Sequence, residues 1–418
     1  MKRKIETQFI HGGESPDPLT GAVAPTLVRS KTYRQEFGKK AEFQYARGNN
    51  PTRKILENKL ASIEGKGYAT VFSSGLGAET MFFLTLNPGD HIIIPEEVYG
   101  GTQRLLNFLK KFNIVFSTSS FESRNEILSK VRSNTKYFFI EPLSNPSLKV
   151  IDLRLIKKIS EETSIPFVAD MTFTPPCATL AFDYGAETII HSLSKYMSGH
   201  NDVLGGAIIT KNLALHEKLQ FLQKTIGAVL SPDECYRIIQ GIKTLNIRWK
   251  ETSNNAYVIS KYLSNNNQVK RTLYPGLKTD PHHSLAKSQI KNGFGSVVSF
   301  ELKETNLDRI KTFIEVIQER GNIIYGESLA SPETLIAYPF TMSHASLSVE
   351  EKIKIGVTQS FFRISLGLES PMDILEDLER GFRAISQESK KENRNPMKYE
   401  TSNSIKSTLL SPATTQSN

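Results

Sequence analysis

The chain has 418 residues, more than one hydrophobic core usually serves, and its 39% apolar and 23% charged content is that of an ordinary folded protein. The formal charge of +9 is carried by Lys and Arg dispersed among helical stretches, not gathered into a stripe, which argues against nucleic acid as a partner and leaves positive potential for small anions. The two cysteines, Cys177 and Cys235, belong to no CxxC or Cys/His group that would bind zinc, no run approaches the ~20 apolar residues of a membrane span, and Met1 to Thr7 is basic without a signal core, so a metal-free, cytoplasmic protein is expected.

Residues 1–60 alternate Gly/Pro turns, as in His11-Gly12-Gly13 and Ala24-Pro25-Thr26, with short extended pieces, and read as an arm that packs on something else. Residues 61–245 repeat strand, turn and helix. The β-rich runs are Tyr68 to Phe72, His91 to Ile94, Ile114 to Phe116, Tyr137 to Ile140, Phe167 to Ala169, Thr188 to Ile190 and Ala207 to Ile209. This alternation predicts an α/β domain with a mostly parallel seven-stranded sheet, helices on both faces and ligands at the strands' carboxyl ends. Ser231-Pro232-Asp233-Glu234 has the signature of a helix start, and the helix is expected through Cys235 to Tyr262, bridging to a second domain. Residues 246–386 then shift to short strands, Ser296 to Leu302 and Phe361 to Leu366, and helices, Asn306 to Arg320 and Pro371 to Ile385, as in a smaller α+β domain. Residues 387–418 are rich in Ser, Thr, Asn and Lys and are expected to be a disordered tail.

Four places carry candidate chemistry. In Val71 to Glu79 a strand ends in small residues and opens a helix, so the free amides of Gly75 and Leu76 with the Ser74 hydroxyl make an anion cradle. A dinucleotide fingerprint is the rival reading, disfavoured by Thr80 where a small residue is needed for helix packing. Tyr99, in Val98-Tyr99-Gly100-Gly101-Thr102, offers a ring to stack on a flat ligand, or is simply a packed loop tyrosine. Asp170 closes a strand, where it either holds a pyridine nitrogen protonated or caps a turn. Lys195 follows the apolar run Ile189-Ile190, and a bare ammonium at a buried strand end is costly unless paired or chemically committed. Ser192 and Ser194 bracket it at spacings that let their hydroxyls reach a phosphate, while His191 reads as a packed or backbone-bonded histidine.

Seven runs, taken together, resemble the Cys/Met-metabolism family of pyridoxal phosphate (PLP) enzymes, the group of cystathionine γ-synthase and γ-lyase, methionine γ-lyase and homoserine sulfhydrylases. They are Tyr45 to Arg53, Ser73 to Leu76, Val98 to Thr102, Ile140 to Pro146, Ala169 to Phe173, His191 to Gly199 and Arg363 to Glu369, in the family's order over about residues 7–385. The resemblance implies the fold type I of PLP-dependent transferases and pyridoxal 5'-phosphate as cofactor. It further implies that Lys195 bonds the cofactor covalently and moves the substrate protons with help from Tyr99, which also stacks on the ring. Asp170 is implied to pair with the ring nitrogen, and Ser74, Gly75, Leu76, Ser192 and Ser194 to hold the phosphate. Tyr45 and Arg47 correspond to residues that reach a neighbouring subunit's cofactor, implying dimers paired into a homotetramer. Arg363 matches the clamp for the substrate carboxylate, Asn145 a residue near ring and carboxylate, and Glu333-Thr334 a segment that meets the distal ammonium of cystathionine.

The sequence departs from the family's pattern at Met171, at Ser194 and at Ala330-Ser331, where two glycines are usual, which puts the substrate loop in question. Gly101, Arg104 and Gly227 to Pro232 lean towards cystathionine γ-lyase or γ-synthase. The expected activity is therefore elimination or replacement at the γ carbon of a homoserine- or homocysteine-derived amino acid. O-acetylhomoserine sulfhydrylase is the alternative within the family, and a catalytically retired binding protein the alternative outside enzymes.

Overall fold

The computed structural model describes residues 3–342, 345 and 348–393. The large domain is built on a seven-stranded sheet whose strands are β1 (Tyr68–Phe72), β2 (His91–Pro95), β3 (Val115–Ser119), β4 (Thr135–Ile140), β5 (Phe167–Asp170), β6 (Thr188–Ser192) and β7 (Gly206–Thr210). Their order is β1-β7-β6-β5-β4-β2-β3. Only β7 runs against its neighbours β1 and β6; the other pairings are parallel. The central strands carry short apolar runs, Phe138 to Ile140, Phe167 to Ala169 and Ile189 to Ile190, because both faces are covered there, and alternate residues enter two different cores. Val71, Phe138, Ala169 and Ile189 point into one, with helices α2 (Pro51–Ile63), α6 (Leu153–Thr163) and the first half of α8 (Pro232–Asn265). Phe72, Phe139, Val168 and Ile190 point into the other, with α3 (Gly75–Phe83), α4 (Gly100–Leu109) and α7 (Leu213–Ile226). The fold is thus the α/β type expected, a mostly parallel seven-stranded sheet covered on both faces, with every strand of the large sheet overlapping the run read from the sequence.

Helix α8 is the girder between domains. It starts at the capping box Ser231/Glu234 and continues unbroken through residue 245, with Leu245 and Trp249 in the first core and Ala256, Ile259 and Leu263 in the core of the small domain. That domain holds a second sheet, β8 (Val269–Leu273), β9 (Val297–Leu302), β10 (Ile323–Tyr325), β11 (Thr334–Ala337) and β12 (Phe361–Ser365), in the order β10-β11-β12-β9-β8. Strand β12 sends Phe362 and Ile364 into the small core, beside α10 (Leu307–Gln318) and α12 (Pro371–Asn393). Its alternate residues Arg363 and Ser365 bond towards Asn145 and Ser296. Of the segment read as a tail, α12 takes in the residues up to Asn393; the remainder lies outside the described residues.

The amino-terminal arm is not uniform. Helix α1 (Ile5–His11) buries Phe9 in the first core, and Arg29 is paired with Asp233 at the start of α8. Leu19 and Val23 between them, and Phe37 just beyond, are 93%, 83% and 108% exposed, an unusual amount of bare apolar surface for one short stretch.

Candidate active site

The carboxyl ends of β1, β4, β5 and β6 meet the edge of the small domain around a cavity of about 260 Å³. Ser74, Gly75, Leu76, Tyr99, Asn145, Asp170, Ser192, Ser194, Lys195 and Arg363 all line it, brought from ten positions scattered over most of the chain. Topology accounts for this: parallel strands deliver their carboxyl ends to one rim, and antiparallel β7 delivers its first residue, Gly206, to the same rim.

At the cradle, Ser74 caps α3 by accepting from the Gly77 amide at 2.9 Å, leaving the first amides of the helix without helical partners. Two glycines permit the close approach. A Cβ on Gly75 would stand 2.8 Å from the Ser192 Cβ, and one on Gly206 only 2.0 Å from the Ser74 carbonyl oxygen. The turn after β6 is fixed from both sides, the Ser192 amide donating to Thr172 Oγ1 at 2.8 Å and the Gly205 amide to Ser194 Oγ at 3.0 Å.

Lys195 projects from that turn and donates to Ser328 Oγ at 2.8 Å. Burial, and next the nearby Arg363 cation, push its pKa down to about 8, against a smaller opposing pull from Glu327. Arg363 is buried; its Nη1 donates to Asn145 Oδ1 at 3.1 Å and its Nη2 to the Ser328 carbonyl at 2.8 Å, while Nε has no partner. Burial lowers the guanidinium to about 10. Asp170 accepts from the Thr172 amide at 2.9 Å; burial raises its pKa, opposed by the Thr172 hydrogen bonds and by His191. His191 itself is buried in a 2.6 Å contact with Glu64, away from the cavity lining, as its packing reading implied. The Tyr99 amide donates to Glu141 Oε1 at 2.7 Å, and burial keeps the phenol protonated by raising its pKa.

Four of the residues singled out in the sequence are not brought to this cavity. Tyr45 is nearly half exposed, and Arg47 lies over its ring and donates to the Lys224 carbonyl at 2.6 Å. Glu333 accepts from Asn201 Nδ2 at 2.9 Å on the outside of the loop. Thr334 is buried, but in a bond to Glu369 that ties β11 to the turn after β12. In place of Glu333 the cavity receives Glu327, along with Ser328, Glu79, Glu141, Thr172 and Phe173, none of which was singled out from the sequence. Glu141 had a positional signal, since it follows β4 as Asp170 closes β5; Glu79 and Glu327 had none.

These features suit a phosphorylated, flat, cationic-ring cofactor: an amide cradle that side chains would fill, an orphaned Arg363 Nε, and a buried Asp170 carboxylate short of a cation. Residues 6–383 match the family model of the Cys/Met metabolism PLP-dependent enzymes. The chain belongs to this family. Its cofactor is pyridoxal phosphate, and it is an enzyme. Among family members it is 38% identical to the cystathionine beta-lyase of Coxiella burnetii, over 90% of this chain and 97% of that one. It is 37% identical to the cystathionine gamma-lyase of Bacillus subtilis, over 90% and 98%. The crystal structure of cystathionine gamma-lyase from Lactobacillus plantarum, complexed with L-serine, superimposes with a TM-score of 0.87 at 36% identity, covering 92% of this chain and all of that one. Among the described residues no helix is long and apolar enough to cross a membrane.

Proposed function

We propose that the enzyme eliminates or replaces the γ substituent of a homoserine- or homocysteine-derived amino acid, in the manner of cystathionine γ-lyase or γ-synthase. The observation that carries the reading is the placement, in one cavity, of a lysine with depressed basicity, an arginine with a free Nε and a carboxylate, Glu327, that influences both. Pyridoxal phosphate, when bound, supplies the electron sink that stabilises a carbanion beside the substrate's amine. Ser74, Gly75, Leu76, Ser192 and Ser194 would hold its phosphate, Asp170 would pair with its ring nitrogen, Tyr99 would stack on its ring and Lys195 would bond its aldehyde, all of them residues that line the one cavity. Arg363 takes the substrate α-carboxylate, a task suited to a planar two-pronged donor, with Asn145 fixing the fork. The free amine of Lys195 would remove the substrate's α proton and then shuttle a β proton, leaving at the β carbon the electron pair that expels the γ substituent, and the protonated Tyr99 phenol would help in these transfers. Glu327 is the carboxylate we assign to a distal ammonium, because Glu333 is turned to Asn201.

β-Elimination from cystathionine is the second reading, favoured by the similarity to the Coxiella burnetii enzyme. Supply of cysteine or sulfide as incoming thiol distinguishes the synthase and O-acetylhomoserine sulfhydrylase forms. The active unit is proposed to be a dimer, paired into a homotetramer, in which Tyr45 and Arg47 complete the neighbour's phosphate site; their distance from their own cavity supports this. Two buried free thiols fit a reducing, cytoplasmic setting.

The test is product identification by mass. Holoenzyme with cystathionine gives cysteine, 2-oxobutanoate and ammonia by γ-elimination, or homocysteine, pyruvate and ammonia by β-elimination; acylated homoserine with cysteine gives cystathionine by replacement. No turnover of any of these, or a borohydride-fixed label on an amine other than Lys195, overturns the reading.

A further inference from the structure

Strand β9 places a serine among apolar residues. In Val297-Val298-Ser299-Phe300, Val298 and Phe300 enter the core of the small domain, so Ser299 stands on the opposite face of the sheet, where it is fully buried. Strand β12 pairs with β9 in antiparallel register, and Arg363 lies directly opposite Ser299. The two side chains therefore leave the sheet side by side. A buried hydroxyl has to find a partner, and this one crosses to the large domain, donating to the Pro146 carbonyl at 2.6 Å. The residue before Pro146 is Asn145, whose Oδ1 accepts from Arg363 Nη1 at 3.1 Å. Two adjacent residues of the loop after β4 are thus held by two neighbouring residues of the small sheet.

From the large-domain side the same loop is tied by its own hydroxyls. Ser144 Oγ shares a hydrogen bond with Ser147 Oγ at 2.8 Å and accepts from the Lys149 amide at 3.1 Å. Ser147 in turn donates to Glu97, two residues before Tyr99, and Lys149 pairs with the same carboxylate. Pro146 is buried, so without Ser299 its carbonyl would stay unpaired at a cost or shift to find another donor. A shift carries Asn145 with it. The Arg363 fork is supported by Asn145 Oδ1 on one side and by the Ser328 carbonyl, at 2.8 Å, on the other, and its Nε is free. Displacing one support lets the fork swing about the other.

We infer that Ser299 is a positioning residue for the substrate: through Pro146 it fixes Asn145, and through Asn145 the direction in which Arg363 presents its donors to the α-carboxylate. The inference rests on the assignment of Arg363 and Asn145 to that carboxylate in the preceding subsection. Ser299 does not itself line the cavity, and it acts only through these two residues.

The experiment compares Ser299→Ala, Asn145→Ala, the double variant and Ser360→Ala with wild type, all as holoenzymes. Ser360→Ala is the matched control: its hydroxyl, just before β12, likewise donates to a backbone carbonyl, that of Glu304 at 2.6 Å, away from the cavity. The probe is glycine, which has the amine and carboxylate of the substrates and nothing further. Its dissociation constant is read from the change it makes in the cofactor's visible band, alongside the dissociation constant of the cofactor. Ser299→Ala is expected to weaken glycine binding roughly tenfold, the scale of one buried hydrogen bond, with cofactor affinity unchanged and Ser360→Ala like wild type in both. In the Asn145→Ala background the same substitution is expected to add less than about twofold, because its effect passes through Asn145. Unchanged glycine affinity in Ser299→Ala overturns the inference. A tenfold loss that persists in the double variant overturns it too, as does an equal loss in Ser360→Ala, since either would make the effect one of general packing. Should Ser299→Ala yield no holoenzyme, Ser299→Cys decides, its thiol being only a weak donor. Weaker glycine binding with intact cofactor affinity is then expected, and binding equal to wild type sinks the idea. If Asn145→Ala binds glycine as wild type does, the assignment of Asn145 itself fails and takes this inference with it, an outcome that this single variant tells apart from the others.

Discussion

At the scale of single residues, the two functional cations of the cavity are both weakened by burial, and they act on each other. Lys195 falls to about 8 from the ordinary 10.5, so at pH 7.4 about one in five carries a free amine, where an exposed lysine would offer almost none. Only the free amine attacks an aldehyde. Since the folded pKa is the lowered one, the rate at which apoprotein takes up pyridoxal phosphate should climb to about pH 8 and then level off; a rate still climbing through pH 10 would show that the cavity does not shift Lys195. Glu327 and Glu333 make the second residue-scale comparison. Both flank the loop Ser328 to Pro332, and spacing alone does not say which turns inward. Ser328 and Ala330, with φ of 95° and 66°, are held in the left-handed region that side chains disfavour, and their backbone reverses the loop so that Glu327 reaches the cavity and Glu333 meets Asn201. Glu327→Gln should therefore raise KM for cystathionine roughly tenfold while sparing a substrate without a distal ammonium, the usual worth of a charge-assisted bond. Glu333→Gln should do neither, and a larger loss there would return the role to Glu333.

At the scale of elements, the site depends on how closely β7 lies against the turn between β1 and α3. Gly206 begins β7 at the point where a Cβ would stand 2.0 Å from the Ser74 carbonyl oxygen, and that atom is backbone that cannot swing away. Gly206→Ala should separate β7 from the cradle at a cost of about 1–3 kcal/mol, the ordinary scale of overpacking. Cofactor affinity measured by fluorescence titration should drop at least about tenfold with far-UV circular dichroism unchanged; unaltered affinity would mean that the amides of Gly75 and Leu76 are not the phosphate's holders. The strands that form this rim were legible in the sequence because burial on both faces leaves near-continuous apolar runs, and the residues following them, Ser74, Asp170 and Lys195, inherit their position from the strands. The small sheet was only half legible. Val297–Leu302 and Phe361–Ser365 carry apolar alternation, but Val269–Leu273 is interrupted by Lys270 and Arg271, Ile323–Tyr325 is too short to show a period, and Thr334–Ala337 follows Pro332 in a stretch that reads as a loop. Glu79 was not legible at all, because a single glutamate in a helix is ordinarily solvated and only the fold turns it inward.

At the scale of the whole molecule, both domains contribute to the cavity, and the proposed dimer would complete its mouth. The large domain contributes Lys195 and Asp170, the small domain Arg363 and Glu327, and α8 holds the two domains in register through both cores. Leu204 lines the cavity yet is 65% exposed, an apolar side chain at its mouth that its own chain leaves largely uncovered. The arm residues Leu19, Val23 and Phe37 are likewise bare, and Tyr45 and Arg47 lie outside their own cavity on the same arm. Such surface is characteristic of interfaces, and a second copy that covers it would bring its Tyr45 and Arg47 to this mouth. Sharing of that kind has an arithmetical signature. In a hybrid of a Lys195→Ala protomer with an Arg47→Ala protomer, one site collects both defects, whereas the other pairs an intact Lys195 with an intact Arg47. Two inactive preparations, mixed, mildly unfolded and allowed to reassemble, should therefore regain turnover in proportion to the hybrid formed. If Arg47 instead served its own chain, each hybrid site would keep one defect, and the mixture would stay as inactive as its components.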